Sequence, residues 1–143
     1  MLTNYSENTM HSQIFVNLPV KDLKRAVAFY TQLGYTFNPQ FTDENATCMI
    51  VGENLFVMLL VEKFFQGFTN KAITDTRTST EVLTCVSCNG KAHVDELVAK
   101  ARAAGGKVPR QAQDHGFMYS HGYEDLDGHT WELVYMSGPP PHA

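Results

Sequence analysis

The chain has little of several things that commonly fix a protein's class. It lacks any block of Lys or Arg: 11 basic residues stand against 15 acidic ones, for a net charge of −4. A surface of that sign repels phosphate, so neither nucleic acid nor an anionic membrane is an expected partner. It has no apolar run long enough to span a bilayer and no basic-then-apolar leader pattern. It has only three cysteines, Cys48, Cys85 and Cys88. That odd number does not build a disulfide framework and fits a reducing compartment. The expectation is a soluble, intracellular protein of cytoplasmic location. Cys85-Val-Ser-Cys88 matches C-x-x-C, yet a zinc site would want a second such pair. If residues 85–88 are strand, the odd spacing turns the two sulfurs to opposite faces, and redox pairing is the weaker reading.

What is present is an ordinary globular balance, 43% hydrophobic and 18% charged over 143 residues, enough for one domain with its own core. Residues 1–12 are polar and patternless and read as an arm. Ile14, Val16, Leu18 and Val20 alternate with Phe15, Asn17 and Pro19, a strand period. Asp22 suits an N-cap. Leu23, Ala26, Val27, Tyr30 and Leu33 follow at helical spacing, with Gly34 as the stop. Segments 36–42, 46–52 and 54–61 read as strands, and Asn70–Thr80 as a polar connector. The pattern then recurs: a strand over Glu81–Val86, a helix capped by Asn89 with Val94, Leu97, Val98 and Ala101 on one face, and Gly105-Gly106 closing it. Segments 107–112, 117–124 and 129–136 complete the second set, with Asp125–Gly128 turning between the last two. A repeated strand-helix-strand-strand-strand unit predicts two modules packed as one domain. The proline-rich tail, 137–143, cannot extend a sheet.

Val20-Lys-Asp22-Leu23 opening the first helix, Ala28-Phe-Tyr30 with Leu33-Gly34, and Asp125-Leu-Asp-Gly128 followed by Glu132-Leu133 resemble the vicinal oxygen chelate superfamily. That superfamily takes in glyoxalase I, bleomycin and fosfomycin resistance proteins and extradiol dioxygenases. Ile14–Val20, Asn38–Phe41, Asp114–Tyr119 and Asp125–His129 resemble its predicted lactoylglutathione lyase group. The resemblance covers residues 13–136. It implies an α+β fold in which module one (about 13–62) and module two (about 81–136) flank a connector (about 63–80). The two modules form a curved mixed sheet with a central cleft and helices on the convex face. It also implies a small-molecule ligand, a homodimer and, in metal-dependent members, one divalent ion held by the first and fourth strands of each module. No nucleotide cofactor is expected.

Position by position, the four metal-ligand places fall on Phe15, Met58, Glu81 and Glu132. Phenylalanine cannot ligate, and a thioether suits only soft metals. Two carboxylates remain, so the site departs from the metal-dependent pattern. Alternation puts Phe15, Asn17, Met58 and Leu60 in the cleft. If the last two strands pair across Asp125–Gly128 with Glu124 opposite His129, His121 stands opposite Glu132, with Tyr119 and Tyr123 on the same face. Glu81, His121 and Glu132 would then form a cluster able to hold a metal with waters or to act as acid and base. The bland alternative is that His121 merely neutralises Glu132. Asp114-His115-Gly116 reads as a turn. His11, His93 and His142 read as solvent-facing, His129 as closing its turn, and Trp131 as core beneath the second helix. Phe64, Phe65 and Phe68 are more apolar than a free loop and form a candidate dimer contact.

Three functions follow. One is a metal-assisted lyase or isomerase acting through Glu81 and Glu132. The second is a metal-free binding protein of bleomycin resistance type for a partly apolar, cationic ligand. Extradiol dioxygenase chemistry ranks lower, because its two-His, one-carboxylate triad would start at Phe15.

Overall fold

A computed structural model describes residues 10–141. Residues 1–9 of the expected arm, and His142, lie outside them. Module one runs β1 (Ile14–Val20), α1 (Leu23–Leu33), β2 (Thr36–Asn38), β3 (Ala46–Gly52) and β4 (Leu55–Val61). A short helix α2 (Glu62–Gln66) opens the connector. Module two runs β5 (Leu83–Ser87), α3 (Lys91–Ala103), β6 (Gln113–Asp114), β7 (Met118–Glu124) and β8 (Thr130–Met136). They form two four-stranded sheets of matching order, β1-β4-β3-β2 and β5-β8-β7-β6. In each sheet the first strand runs parallel to the fourth and the other pairs are antiparallel.

Local chemistry sets the element ends. Asp22 accepts the Arg25 N–H at 3.1 Å, supplying an acceptor to the open first turn of α1. Gly34, at φ 107°, lets the chain leave that helix through a left-handed residue, and Tyr35 N–H returns to Tyr30 O at 3.1 Å. At α3 the cap differs from expectation. Gly90 is the first flanking residue and offers no side chain, while the Asn89 N–H donates to His93 Nδ1 at 3.1 Å. His93 is thus half-buried and engaged at a helix start rather than simply solvent-facing. The expected strand 36–42 stops at Asn38, where Pro39 begins a 3₁₀ turn and the Asn38 side chain accepts the Gln40 N–H at 3.0 Å. The expected strand 107–112 shrinks to a single bridge of Lys107 with Glu124. Pro109 cannot donate to a ladder, and pairing resumes at β6.

One face of each sheet packs onto the helices. Val16, Leu18 and Val20 of β1 and Val57 and Leu59 of β4 meet Ala26, Phe29, Tyr30 and Leu33 of α1. Val94, Leu97, Val98 and Ala101 of α3 join the same core, with Tyr123, Trp131 and Leu133 from module two. Trp131 is fully buried, as the alternation predicts, but its ring lies 5.6 Å from that of Tyr30 on the first helix. The helix faces of both modules therefore share one hydrophobic interior, and the opposite faces of the sheets are exposed at Phe15 and Leu83.

A polar seam joins the modules beside this core. Asp125 and His129 are buried at the β7–β8 turn. Asp125 accepts the Tyr30 hydroxyl proton and the His129 and Asp127 N–H groups, the latter two at 2.9 Å. His129 Nε2–H donates to Pro19 O at 2.6 Å, the Lys21 N–H donates to Asp127 Oδ1 at 2.9 Å, and Arg25 Nη2 donates to Leu126 O at 3.0 Å. The Asp125-Leu-Asp-Gly128 motif thus fastens module two to the end of β1 and the start of α1. Burial pushes the Asp125 carboxyl up, against the opposing pull of His129 and Tyr30. Burial, reinforced by Asp125, keeps the Tyr30 phenol well above its ordinary range, so Tyr30 holds the proton and donates.

Candidate ligand site

The open face of module one is built by β1 and β4 lying side by side in parallel register. Phe15 pairs with Phe56, Asn17 with Met58, and Pro19 with Leu60. Phe15 is 48% exposed, and its ring stacks on Phe56 at a centroid distance of 4.9 Å. Cys48 of β3 stands opposite Met58 and is buried, and Leu60 on the same face is buried as well. This face is apolar apart from Asn17, whose amide donates to Phe15 O at 3.1 Å.

Module two repeats the geometry with different chemistry. Leu83 pairs with Thr130 and Cys85 with Glu132 across β5 and β8. Phe15 stands eight residues before the first residue of α1, and Leu83 eight before the first residue of α3. Met58 faces Asn17 in one ladder as Glu132 faces Cys85 in the other. Met58 and Glu132 are thus equivalent, as the sequence predicts, but the equivalent of Phe15 is Leu83. Glu81 lies two residues before β5, exposed, and lines a different cavity from Glu132. The ligand place expected at Glu81 is therefore corrected to Leu83, although the two cavities meet at Thr130.

The β7–β8 register also differs from expectation. The structure pairs Gly122 with Glu132, His121 with Leu133, Tyr123 with Trp131 and Tyr119 with Tyr135. The cause is the turn. Asp125 N–H bonds to His129 O at 3.0 Å and Gly128 N–H to Asp125 O at 3.1 Å, enclosing three residues with Gly128 at φ 83°. That is a type I turn followed by a left-handed residue, one residue longer than a two-residue hairpin. A one-residue slip moves every side chain to the other face. His121, Tyr119 and Tyr123 accordingly face away from Glu132. His121 Nε2 meets Arg110 O at 2.9 Å, Tyr119 donates to Asp95 at 2.6 Å, and Tyr123 is buried in the core. No cross-strand His121–Glu132 pair forms.

Sequence reasoning missed Gly122. A Cβ placed there would meet Trp131 O at 2.5 Å and Glu132 Oε2 at 3.0 Å, so the Glu132 carboxylate lies folded over a bare stretch of β7. Around it Arg110, Gln111, Gln113, Ser120 and Glu124 line a pocket of about 80 Å³, whose edge His121 also reaches where it meets Arg110 O. The signal was present only as a glycine within an otherwise regular strand. Cys85 is exposed beside Glu132, and burial, then the nearby carboxylate, pushes its thiol up, which disfavours a thiolate. Cys88 turns into the core, so the C-x-x-C residues point to different environments.

Tested against a divalent ion, these donors do not fit. Phe15, Met58, Leu83 and Glu132 supply one hard oxygen ligand, whereas such ions want several. Among the described residues, no three His, Cys, Asp or Glu side chains come together in a ligand group. Among them also, no helix is long and apolar enough to cross a membrane.

The family described as bleomycin resistance protein-like N-terminal matches residues 13–52. A hypothetical protein from S. aureus is 30% identical, with 92% of this chain and 98% of that one covered at a TM-score of 0.75. A glyoxalase/bleomycin resistance protein/dioxygenase family enzyme from Burkholderia phytofirmans shares the fold at a TM-score of 0.71, with 17% identity over 85% of this chain and 96% of its own. The chain belongs to the vicinal oxygen chelate superfamily. A lactoylglutathione lyase from Agrobacterium tumefaciens has the same superfamily fold, at a TM-score of 0.64 and 19% identity over 89% of this chain and 96% of its own. No curated protein matches the chain. At the coarse level it is a glyoxalase/bleomycin resistance-like protein, and its two modules match the open, paired arrangement of that superfamily.

Proposed function

We propose that this vicinal oxygen chelate protein binds and sequesters a partly apolar, positively charged small molecule, with Glu132 as the recognising carboxylate and no metal. The observation behind this reading is the donor set at the four equivalent positions, where Phe15, Met58 and Leu83 stand with a single carboxylate. Glu132 and Glu124 share one pocket with Arg110, which leaves an excess of one negative charge there. The apolar Phe15, Met58 and Leu83 stand at the other equivalent positions, a combination that suits a cation carried on an apolar body. Cys85, kept as a thiol, adds surface rather than a nucleophile.

The pocket over Glu132, at about 80 Å³, is smaller than the roughly 300–1,000 Å³ usual for small-molecule sites. The apolar face of module one is likewise uncovered at Phe15. Both features support a symmetric homodimer in which a second copy supplies the missing wall.

The test uses benzyltrimethylammonium and bleomycin as cationic probes, read by calorimetry and thermal shift. Glu132→Gln is expected to fold normally and to lower affinity for both at least tenfold, while Ni(II), Mn(II), Zn(II) and Fe(II) give no binding heat. If Glu132→Gln binds the probes as the parent does, Glu132 is not the recognition element. If one of the ions binds stoichiometrically and Glu132→Gln abolishes that, the metal-assisted lyase reading replaces this one.

A further inference from the structure

The connector encloses a cavity that reaches the candidate site only at Asn17 and Thr130. It measures about 300 Å³, within the range of small-molecule sites, and neither Glu132 nor Met58 lines it. One wall is the end of β1, at Pro19, together with His129 and Thr130 after the β7–β8 turn. The other is the connector itself, with Phe65, Ile73 and Val82 as its apolar surface. The connector is held in place by specific contacts. Thr76 Oγ1–H donates to Asp127 O, and Gln66 Nε2 donates to Thr69 O at 3.2 Å and to Lys71 O at 2.7 Å. Gly128 is bare where Thr76 crosses it: a Cβ there would lie 2.7 Å from Thr76 Oγ1. A polar segment with little of its own to bury is thus fixed over a hollow instead of collapsing into it.

Two charges line this cavity, Lys71 and Glu81, both exposed at its rim. Neither belongs to an ion pair among the described residues. A plain cation would meet Lys71 and a plain anion would meet Glu81, so each is opposed by one of the two. A molecule carrying both charges satisfies both groups, and the apolar wall takes the rest of it. We propose that the connector cavity is a second ligand site, for a small zwitterion with an apolar side group, of the chemical class of the apolar α-amino acids. Glu81 faces the ammonium group, Lys71 the carboxylate, and Ile73 and Phe65 the side group. Glu81, which the sequence placed in a metal site, takes its role here instead.

The experiment is calorimetry with L-phenylalanine, its amide (a cation) and its N-acetyl derivative (an anion) on the full chain. The expected result is saturable binding of L-phenylalanine, with each single-charge analogue at least tenfold weaker. Ile73→Trp, which fills the cavity, is expected to abolish binding, and Glu81→Gln to weaken it at least fivefold, while Glu132→Gln leaves it unchanged. Should Ile73→Trp fail to fold, Thr74→Leu fills the same wall from a half-exposed position and carries the same expectation. No binding of L-phenylalanine, equal binding of all three compounds, or loss of binding in Glu132→Gln each overturns the proposal. The last outcome would move the ligand to the Glu132 face, whereas failure of the cationic probes there leaves this cavity's test intact.

Discussion

Glu132 shows how little freedom a side chain has when its neighbour across the ladder is a glycine. Its carboxylate occupies the space that a Cβ at Gly122 would need. The nearer obstacle is the Trp131 carbonyl, which is backbone and cannot rotate away. Gly122→Ala therefore forces β7 and β8 apart locally and displaces Glu132 together with them. The expected cost is roughly 1–3 kcal/mol, the usual range for overpacking, read as a lower midpoint in urea unfolding. Binding of a cationic probe should fall in the same variant even at temperatures where it stays folded. A variant as stable as the parent, with unchanged binding, would mean that Gly122 does not shape the carboxylate's position.

At the scale of elements, the strands and helices were legible because their periods are strong. β1, α1, β3, β4, α3, β7 and β8 stand within a residue or two of where alternation and 3.6-residue spacing put them. The site was legible only where it depended on period alone. Phe15, Asn17, Met58 and Glu132 face the open sides as alternation requires. His121, Tyr119 and Tyr123 depended on the length of one turn, and Asp125–His129 encloses one residue more than the simplest hairpin. Glu81 depended on where β5 begins, which no residue in Thr80-Glu-Val-Leu83 marks. The same turn carries a chemistry that composition does not reveal, the Tyr30–Asp125–His129 seam. Burial raises the Asp125 carboxyl, so its folded form holds its proton more tightly than the unfolded chain does. The stability due to this group is fully present below its unfolded value, near 3.8, and is lost as pH rises through the higher folded value. Tyr30→Phe removes a donor to that carboxylate. It should destabilise by about 1–3 kcal/mol, and by more at pH 7 than at pH 4, where the carboxyl is closer to neutral. Asp125→Asn should flatten the pH dependence that the parent shows between those values. Thermal midpoints at the two pH values measure both effects, and equal losses for Tyr30→Phe at pH 4 and pH 7 would remove Asp125 as the cause.

For the whole molecule, the arrangement of the core determines what the outside must do. Both modules spend their helix faces on one shared interior. On the opposite faces the connector covers the end at Asn17 and Pro19, while the ends that carry Phe15 and Leu83 stay uncovered. Those two side chains are 48% and 60% exposed. Phe64 and Phe68 form a second exposed apolar spot, their rings 5.2 Å apart and edge to face. The two surfaces make different demands. Contact through Phe68 would join two chains away from both open sheet faces, whereas a symmetric contact through the Phe15 face is proposed here to bring the partner's apolar sheet face toward the Glu132 pocket. Because the pocket is too small by itself to hold an organic ligand, the Phe15 face is the expected interface. Sedimentation equilibrium should then show a dimer that Phe15→Glu dissociates, by burying an unpaired charge against an apolar partner, and that Phe68→Ser leaves intact. The same Phe15→Glu chain should lose affinity for cationic probes, although it adds a carboxylate that would attract them on an isolated monomer. A monomeric Phe15→Glu protein that binds the probes more tightly would show that each chain holds its ligand alone.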